Sequence, residues 1–502
     1  MSRLYRYAAK FMTLALILSM VCALPVSATA DTEDEVQARY NKTIESDSWE
    51  NWPAGPQVYA ESAIVMEAST GVILYAKSID EQHYPASITK IMTVLLALEN
   101  LELDEEVTFS HTAVYTVEAG SSSIARDEGE ILTVEECLYA IMLESANECA
   151  NAIAEQVSGS IDAFVDLMNE RAAELGCTGT HFTNANGLPD EEHYTTSHDM
   201  ALITQEAIKY EEFRKISVTA RYTLRATNKK EEELVMNNHH YMISGNVSTS
   251  YLDDTVFAGK TGYTVAAQNT LVTCATRNGM DLIVVTMQTQ GTSETGVPVY
   301  TDTANLLDYA TENFQKVNIS ENETNFTIGQ SDLFDTGASI FGTSSPIIEM
   351  DSEGYAVLPV TVSLSDADAS LTFLEDQEDD VIATLSYTYA NQTVGSTELY
   401  QTGSSLQEFA FGSLSADEAT ESGADTTQRL IRIDLRIVGL IAAILLFLLI
   451  LILLLRKIKK EYSISFRFFS KWKQKRQERR QFGNPGRRRY KSRKRKNRRL
   501  FK

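Results

Sequence analysis

Basic residues are scarce over most of this chain. Between Asp31 and Leu455 there are 19 lysines and arginines against 67 aspartates and glutamates, which excludes nucleic acid as a partner of that body, because phosphate binding needs a basic footprint. Cysteine is sparse too. Of five in 502 residues, Cys22 lies in an N-terminal leader. The others, Cys137, Cys149, Cys177 and Cys274, match neither a small disulfide scaffold nor the paired Cys-Xaa-Xaa-Cys spacing of structural zinc. Buried free thiols are the expectation. The seven histidines include His181, His193 and His198, and the adjacent His239 and His240. None forms His-Glu-Xaa-Xaa-His, so zinc-peptidase chemistry is not indicated and loop or core positions are expected. No internal repeat occurs.

What is present is strongly polarised. Residues Arg456 to Lys502 hold 22 of the 44 basic residues and only two acids, Glu461 and Glu478. At the other end Arg3, Arg6 and Lys10 precede the apolar run Phe11 to Leu24 and then Ala28-Thr29-Ala30, the layout of a secretory signal peptide. Ile437 to Leu455 is an unbroken apolar run of 19 residues, counting Gly439, long enough at a 1.5 Å rise to cross most of a hydrocarbon core of roughly 30 Å. The basic residues crowd directly after it. The expected topology is therefore single-pass in the cell membrane, with an extracellular acidic body and a cytoplasmic tail.

The pattern along the chain predicts these segments: leader 1–30, polar lead-in 31–56, catalytic-size domain 57–316, small β-domain 317–411, linker 412–436, span 437–455 and basic tail 456–502. Within the large domain, Ser62 to Met66 and Val72 to Ala76 flank a Gly-containing turn and predict a hairpin. Ile88 to Leu98 is apolar nearly all round, as a buried central helix would be. Thr133 and Glu136 have capping-box spacing before Cys137, Leu138, Ile141 and Met142. Helices are expected at about Glu148 to Val157, through Phe164 to Leu175, and at Tyr300 to Phe314. Strands are expected at Phe257 to Thr264, Asn269 to Thr276 and Asp281 to Met287, the last two joined through Arg277-Asn278-Gly279. Beyond Lys316, alternating stretches such as Val360 to Leu364 and Ile382 to Tyr389 suggest strands and no long helix.

Three short motifs carry chemistry. Ser87-Ile88-Thr89-Lys90 places a hydroxyl and an amine on one helical face. An amine in apolar surroundings loses hydration of its charged form, so its pKa falls and it becomes a base. Ser145-Ala146-Asn147 puts a hydroxyl and an amide at a helix junction. Lys260-Thr261-Gly262, after Gly259 on a predicted strand, offers a positive charge, a hydroxyl and room for a close backbone approach. Each alone is also ordinary: a cap before a solvated lysine, a capping pair, an edge-strand lysine.

In this order the three are the motif set of penicillin-recognising serine acyl-transfer enzymes. With Met66-Glu67-Ala68-Ser69-Thr70-Gly71, Pro85 to Thr93, Asn186-Gly187-Leu188-Pro189 and Gly259 to Thr264, the chain resembles the D-alanyl-D-alanine carboxypeptidase family of low-molecular-mass penicillin-binding proteins. The resemblance covers roughly Gln57 to Lys316. It implies an α+β, penicillin-binding-protein/β-lactamase-like domain with a mostly antiparallel sheet and helices on both faces; the small β-domain and membrane attachment that follow fit the same layout, although relatives often end in an amphipathic helix lying on the membrane and this chain is expected to have one transmembrane helix. It further implies removal of the terminal D-alanine from peptidoglycan stem peptides ending in D-Ala-D-Ala, covalent capture of β-lactam antibiotics, and no metal or organic cofactor.

Carried over to these residues, the resemblance makes Ser87 the nucleophile, Lys90 its base, Ser145 a proton relay with Lys260, and Asn147 the holder of the acyl amide. Lys260 and Thr261, with Gly262 on the same strand, receive the carboxylate, and the N–H groups of Ser87 and Tyr263 form the oxyanion hole. A class A β-lactamase would carry Glu-Xaa-Xaa-Xaa-Asn between the second and third motifs, and Glu170 and Glu191 lack that asparagine. A non-catalytic wall-binding scaffold would not need all six motif side chains. One departure concerns charge. Relatives often carry an arginine a few dozen residues beyond Lys-Thr-Gly, whereas no Lys or Arg lies between Arg277 and Lys316. Should replacement of Lys260 by Gln leave peptide cleavage unchanged, the carboxylate must be held by another cation, with Arg225 and Arg277 the first to test.

Overall fold

A computed structural model describes residues 33–290, 297–323, 348–373 and 381–401. The leader, linker, span and basic tail lie outside the described residues. Among those described, no helix is long and apolar enough to cross a membrane.

The larger domain is built on one antiparallel sheet. Strands β1 (Ala60–Glu67) and β2 (Ile73–Lys77) form the expected hairpin, and β7 (Val256–Thr264), β8 (Gln268–Arg277) and β9 (Met280–Thr289) follow from the far half of the domain. Their spatial order is β2-β1-β9-β8-β7. The β8–β9 turn consists of Asn278 and Gly279, both with positive φ (50° and 74°), the conformation that matches the twist of a two-residue hairpin. Alternate residues serve opposite faces, as the period of two demands. Ile64, Met66, Ile283 and Val285 enter one core, while Ala63, Val65, Leu282 and Val284 enter the other.

Helices cover both faces. After α1 (Glu33–Tyr40) come α2 (Lys90–Asn100), α3 (His111–Tyr115), α4 (Val134–Leu143), α5 (Asn147–Ser158), α6 (Ile161–Glu174), α7 (Ser197–Ala207) and α8 (Glu211–Val218). The central helix α2 is buried from Lys90 to Ala97, which is why its sequence shows no polar face. It starts at Lys90 rather than Ile88, because Ala86–Thr89 forms a tighter 3₁₀ turn before it. The capping box of α4 is present, with reciprocal Thr133 and Glu136 bonds. Helix α9 (Pro298–Asn313) lies on the second face. Two strand pairs that pattern reading did not single out, β3 (Glu106–Thr108) with β4 (Ile131–Thr133) and β5 (Arg221–Leu224) with β6 (Leu234–Asn237), are too short to show periodicity.

The second sheet joins β10 (Phe314–Asn318), β12 (Tyr355–Pro359), β15 (Gln392–Gln401), β14 (Val381–Tyr389) and β13 (Asp368–Phe373), with β11 (Ile348–Met350) against β15 and the short helix α10 (Ile319–Asn322) after β10. The stretch Val360 to Leu364, read as strand-like, is not a strand. It turns after Pro359, with Val362 N–H donating to Pro359 O, and runs into the 3₁₀ helix Leu364–Asp366. Its alternation reflects Val362 and Leu364 turning into the core, not a pleat. Trp52, Phe314, Val357 and Tyr387 share one apolar cluster with the larger domain, and Tyr355 Oη donates to Glu67 Oε1 at 2.9 Å.

Candidate active site

The nucleophile turn is shaped by contacts too close for side chains. Ala86 has φ +50°, a left-handed conformation that costs an L-residue on the order of 1–3 kcal/mol and persists only where its surroundings impose it. Those surroundings are two glycines. A Cβ on Gly187 would lie 1.9 Å from Ala86 O, and one on Gly262 would lie 2.3 Å from Thr270 Oγ1 and 2.9 Å from Ser87 N. Thr270 Oγ1 donates to Pro85 O at 2.8 Å, fixing the turn to β8. Ser87 is thereby pressed against the strand that carries Lys260, Thr261 and Gly262.

Lys90 stands at the end of this turn, fully buried. Its Nζ donates to Ser87 Oγ at 3.0 Å, to Asn147 Oδ1 at 2.7 Å and to Asn186 O at 2.5 Å. Burial pushes its pKa well below the usual lysine value, and the nearby Lys260 ammonium pushes it the same way. None of its three partners is a carboxylate, so little offsets the lost hydration. Lys260 is also buried, which lowers its pKa to about 7. Its Nζ donates to Thr261 O at 2.7 Å.

Asn147 opens α5 and ties the site together. Its Nδ2 donates to Ser121 Oγ at 3.0 Å, and its backbone N–H donates to Ser122 O. Ser145 has φ +59°. Its Oγ is buried without a hydrogen-bond partner among the described residues, an arrangement that leaves its donor and acceptor capacity for a ligand. Tyr263 sits at the mouth, 65% exposed. Together these residues line a cleft of about 930 Å³, bounded by Ser121 and Ser122 on one side, Gly187 to Pro189 on another, and Tyr241 and Tyr300 beyond.

The sequence model of the D-alanyl-D-alanine carboxypeptidase family matches residues 50–291. D-alanyl-D-alanine carboxypeptidase DacF of Bacillus subtilis is 35% identical over 261 residues, 51% of this chain and 63% of DacF. DacB2 of Mycobacterium tuberculosis, also a D-alanyl-D-alanine carboxypeptidase, is 32% identical over 257 residues, covering 51% of this chain and 82% of DacB2. The chain belongs to this family. The carboxypeptidase match thus spans less than two thirds of DacF but most of DacB2. A crystal structure of D-alanyl-D-alanine carboxypeptidase from Mycobacterium tuberculosis H37Rv aligns with 53% of this chain and 95% of its own, at 28% identity and a TM-score of 0.46.

For a serine carboxypeptidase-family site, the structure brings all of the sequence-chosen residues to one cleft or its floor: Ser87, Lys90, Ser145, Asn147, Lys260, Thr261, Gly262 and Tyr263. It also adds residues that sequence reading assigned no role. The carbonyl of Asn186 holds Lys90, and Glu148 Oε1 accepts from Ser123 Oγ and Ile124 N, bracing the loop that carries Ser121 and Ser122. Only Asn186 had a signal, the Asn-Gly turn. Thr270, eight residues past Gly262, had none.

Both substitute arginines are engaged elsewhere. Arg225 pairs with Glu136 at 2.8 Å, and Arg277 pairs with Asp253 and Asp308 at the β8–β9 hairpin. Neither lines the cleft. Each has a local carboxylate and lies away from the cleft wall. His193 and His240 are core residues whose pKa burial lowers to about 4 and about 3. His239 is different, being half exposed and in the cleft wall. Cys137, Cys149 and Cys274 are buried free thiols, and Cys177 is half-buried and free. Among the described residues no cluster of three metal-binding side chains occurs.

Proposed function

We propose that this chain is a serine D-Ala-D-Ala carboxypeptidase that trims peptidoglycan stem peptides and is acylated by β-lactams. The observation that carries the reading is a buried Lys90, with no carboxylate among its hydrogen-bond partners, whose Nζ lies 3.0 Å from Ser87 Oγ. Neutral Lys90 takes the hydroxyl proton as Ser87 Oγ attacks the carbonyl of the penultimate D-alanine. The Ser87 and Tyr263 N–H groups hold the oxyanion. Gly262, whose Cβ position lies 2.9 Å from Ser87 N, leaves room for that hole. Ser145, through its unpartnered Oγ, relays to the leaving amine the proton that Lys90 took, which returns Lys90 to its neutral form. Free D-alanine departs and an ester on Ser87 remains. Water, deprotonated by Lys90, then cleaves the ester and regenerates the serine. Asn147 orients the acyl amide, while Lys260 and Thr261 face the terminal carboxylate.

The test is covalent capture by the full-length protein. Intact mass after penicillin should rise by one penicilloyl group, and Ser87→Ala should show no rise while remaining folded. Lys90→Ala should slow acylation by at least roughly 10²-fold, the usual scale of a missing general base. Labelling of Ser87→Ala would place the nucleophile elsewhere.

We further propose that the chain is exported and anchored by Ile437 to Leu455, with the basic tail inside. The apolar length of that run and the 22 basic residues after it support this reading.

A further inference from the structure

A neutral lysine has two protons and one lone pair, so as a buried base it works only where both protons are held away from its target. Lys90 Nζ has three neighbours. Asn147 Oδ1 at 2.7 Å and Asn186 O at 2.5 Å can only accept, and the third is Ser87 Oγ at 3.0 Å. Once the amine is neutral, the two acceptors take its protons and the lone pair is left facing the serine hydroxyl. Asn186 O is a peptide carbonyl and always accepts. Asn147 is a primary amide, and turned about its last torsion it would present Nδ2, a donor, to the same lone pair in competition with Ser87.

The direction of that amide is decided on its other side. Asn147 Nδ2 donates to Ser121 Oγ at 3.0 Å. A serine hydroxyl has one proton, and that of Ser121 goes to Glu118 O at 2.7 Å. Toward Asn147 the hydroxyl can therefore only accept, which requires the amide nitrogen to face Ser121 and the oxygen to face Lys90. Ser121 is held in place in turn. Its N–H donates to Glu118 O at 3.1 Å, and Asn147 N–H donates to the next carbonyl, Ser122 O, at 3.0 Å. Behind them the buried Glu148 accepts through Oε1 from Ser123 Oγ at 2.8 Å and from Ile124 N–H at 2.7 Å. One cleft wall, the start of α5 and Lys90 thus form a single chain of bonds whose sense is set at Ser121.

We propose that Ser121 is a positioning residue: its hydroxyl, committed to Glu118 O, holds the Asn147 amide with the oxygen toward Lys90 and so leaves the Lys90 lone pair for the Ser87 hydroxyl. This role rests on the serine acyl-transfer reading of the site.

The experiment times penicillin acylation of full-length wild type, Ser121→Ala and Ser121→Thr, each rate expressed per site that ends as the penicilloyl ester, so that unfolded material does not count. At saturating penicillin Ser121→Ala should be acylated about 10-fold more slowly, the scale of one neutral hydrogen bond, with the penicillin concentration for half-maximal rate unchanged. Ser121→Thr, which keeps the hydroxyl, should recover the lost rate. An undiminished maximal rate in Ser121→Ala would overturn the proposal. So would a loss confined to the half-maximal concentration, which would make Ser121 a contact for the antibiotic, and so would Ser121→Thr being as slow as Ser121→Ala. Wild type that gains no penicilloyl group would overturn the acyl-transfer reading itself.

Discussion

At the scale of single residues the site depends on two lysines with their hydration removed. Lys90 is buried among a hydroxyl, an amide oxygen and a peptide carbonyl, so it favours the neutral form that a base requires. Lys260 must do the opposite and keep its proton to meet a carboxylate, and burial allows that only below about 7. The pH dependence follows from the sign. As pH rises through about 7, the free enzyme loses the Lys260 charge, so kcat/KM for the D-Ala-D-Ala peptide should fall there. A bound carboxylate favours the ammonium, so the same limb should move to higher pH in kcat. Steady-state profiles of wild type and Lys260→Gln would check this. A limb that persists unchanged in Lys260→Gln would assign it to another group.

At the scale of elements the decisive fit is between the 3₁₀ turn Ala86–Thr89 and strand β7. The turn places Ser87 and Lys90 on one side, and Gly262 lets the strand come close enough to share an oxyanion hole. Gly262→Ala would drive a methyl group against Thr270 Oγ1 and Ser87 N, forcing strand and turn apart. Penicillin acylation should fall by roughly 10²- to 10³-fold, as when an oxyanion donor is lost, with far-UV circular dichroism unchanged. Normal acylation would show that the two elements need not touch. The strain at Ala86 and Ser145 belongs to the same scale, since both sit in junctions that neighbouring elements hold in place.

At the scale of the whole molecule, the second sheet is not hung on a thread. Phe314 and Trp52 lie 5.2 Å apart between ring centroids, in the cluster that also takes Val357 and Tyr387. The orientation prediction belongs here. Protease added to intact cells should digest the acidic body, while an epitope after Lys502 stays protected. An accessible C-terminal epitope would overturn the proposed topology and leave Ile437 to Leu455 needing another account.

The amino-acid sequence by itself determined the main strands and helices, because burial on one or both faces imposes periods that survive in the residue order. It also determined the identity of the motif side chains, because Ser87 and Lys90 are three residues apart and therefore neighbours on any helical turn. Tertiary structure alone decided the rest. Asn186 holds Lys90 across 96 positions and Thr270 holds Pro85 across 185, and such bonds leave no periodic trace. Val360 to Leu364 alternated for a reason other than a pleat. Ser121 looked like any loop serine until the fold set Glu118 O and the Asn147 amide on its hydroxyl. Which way a hydrogen bond runs in a site depends on where the chain returns in space, and residue order does not carry that information.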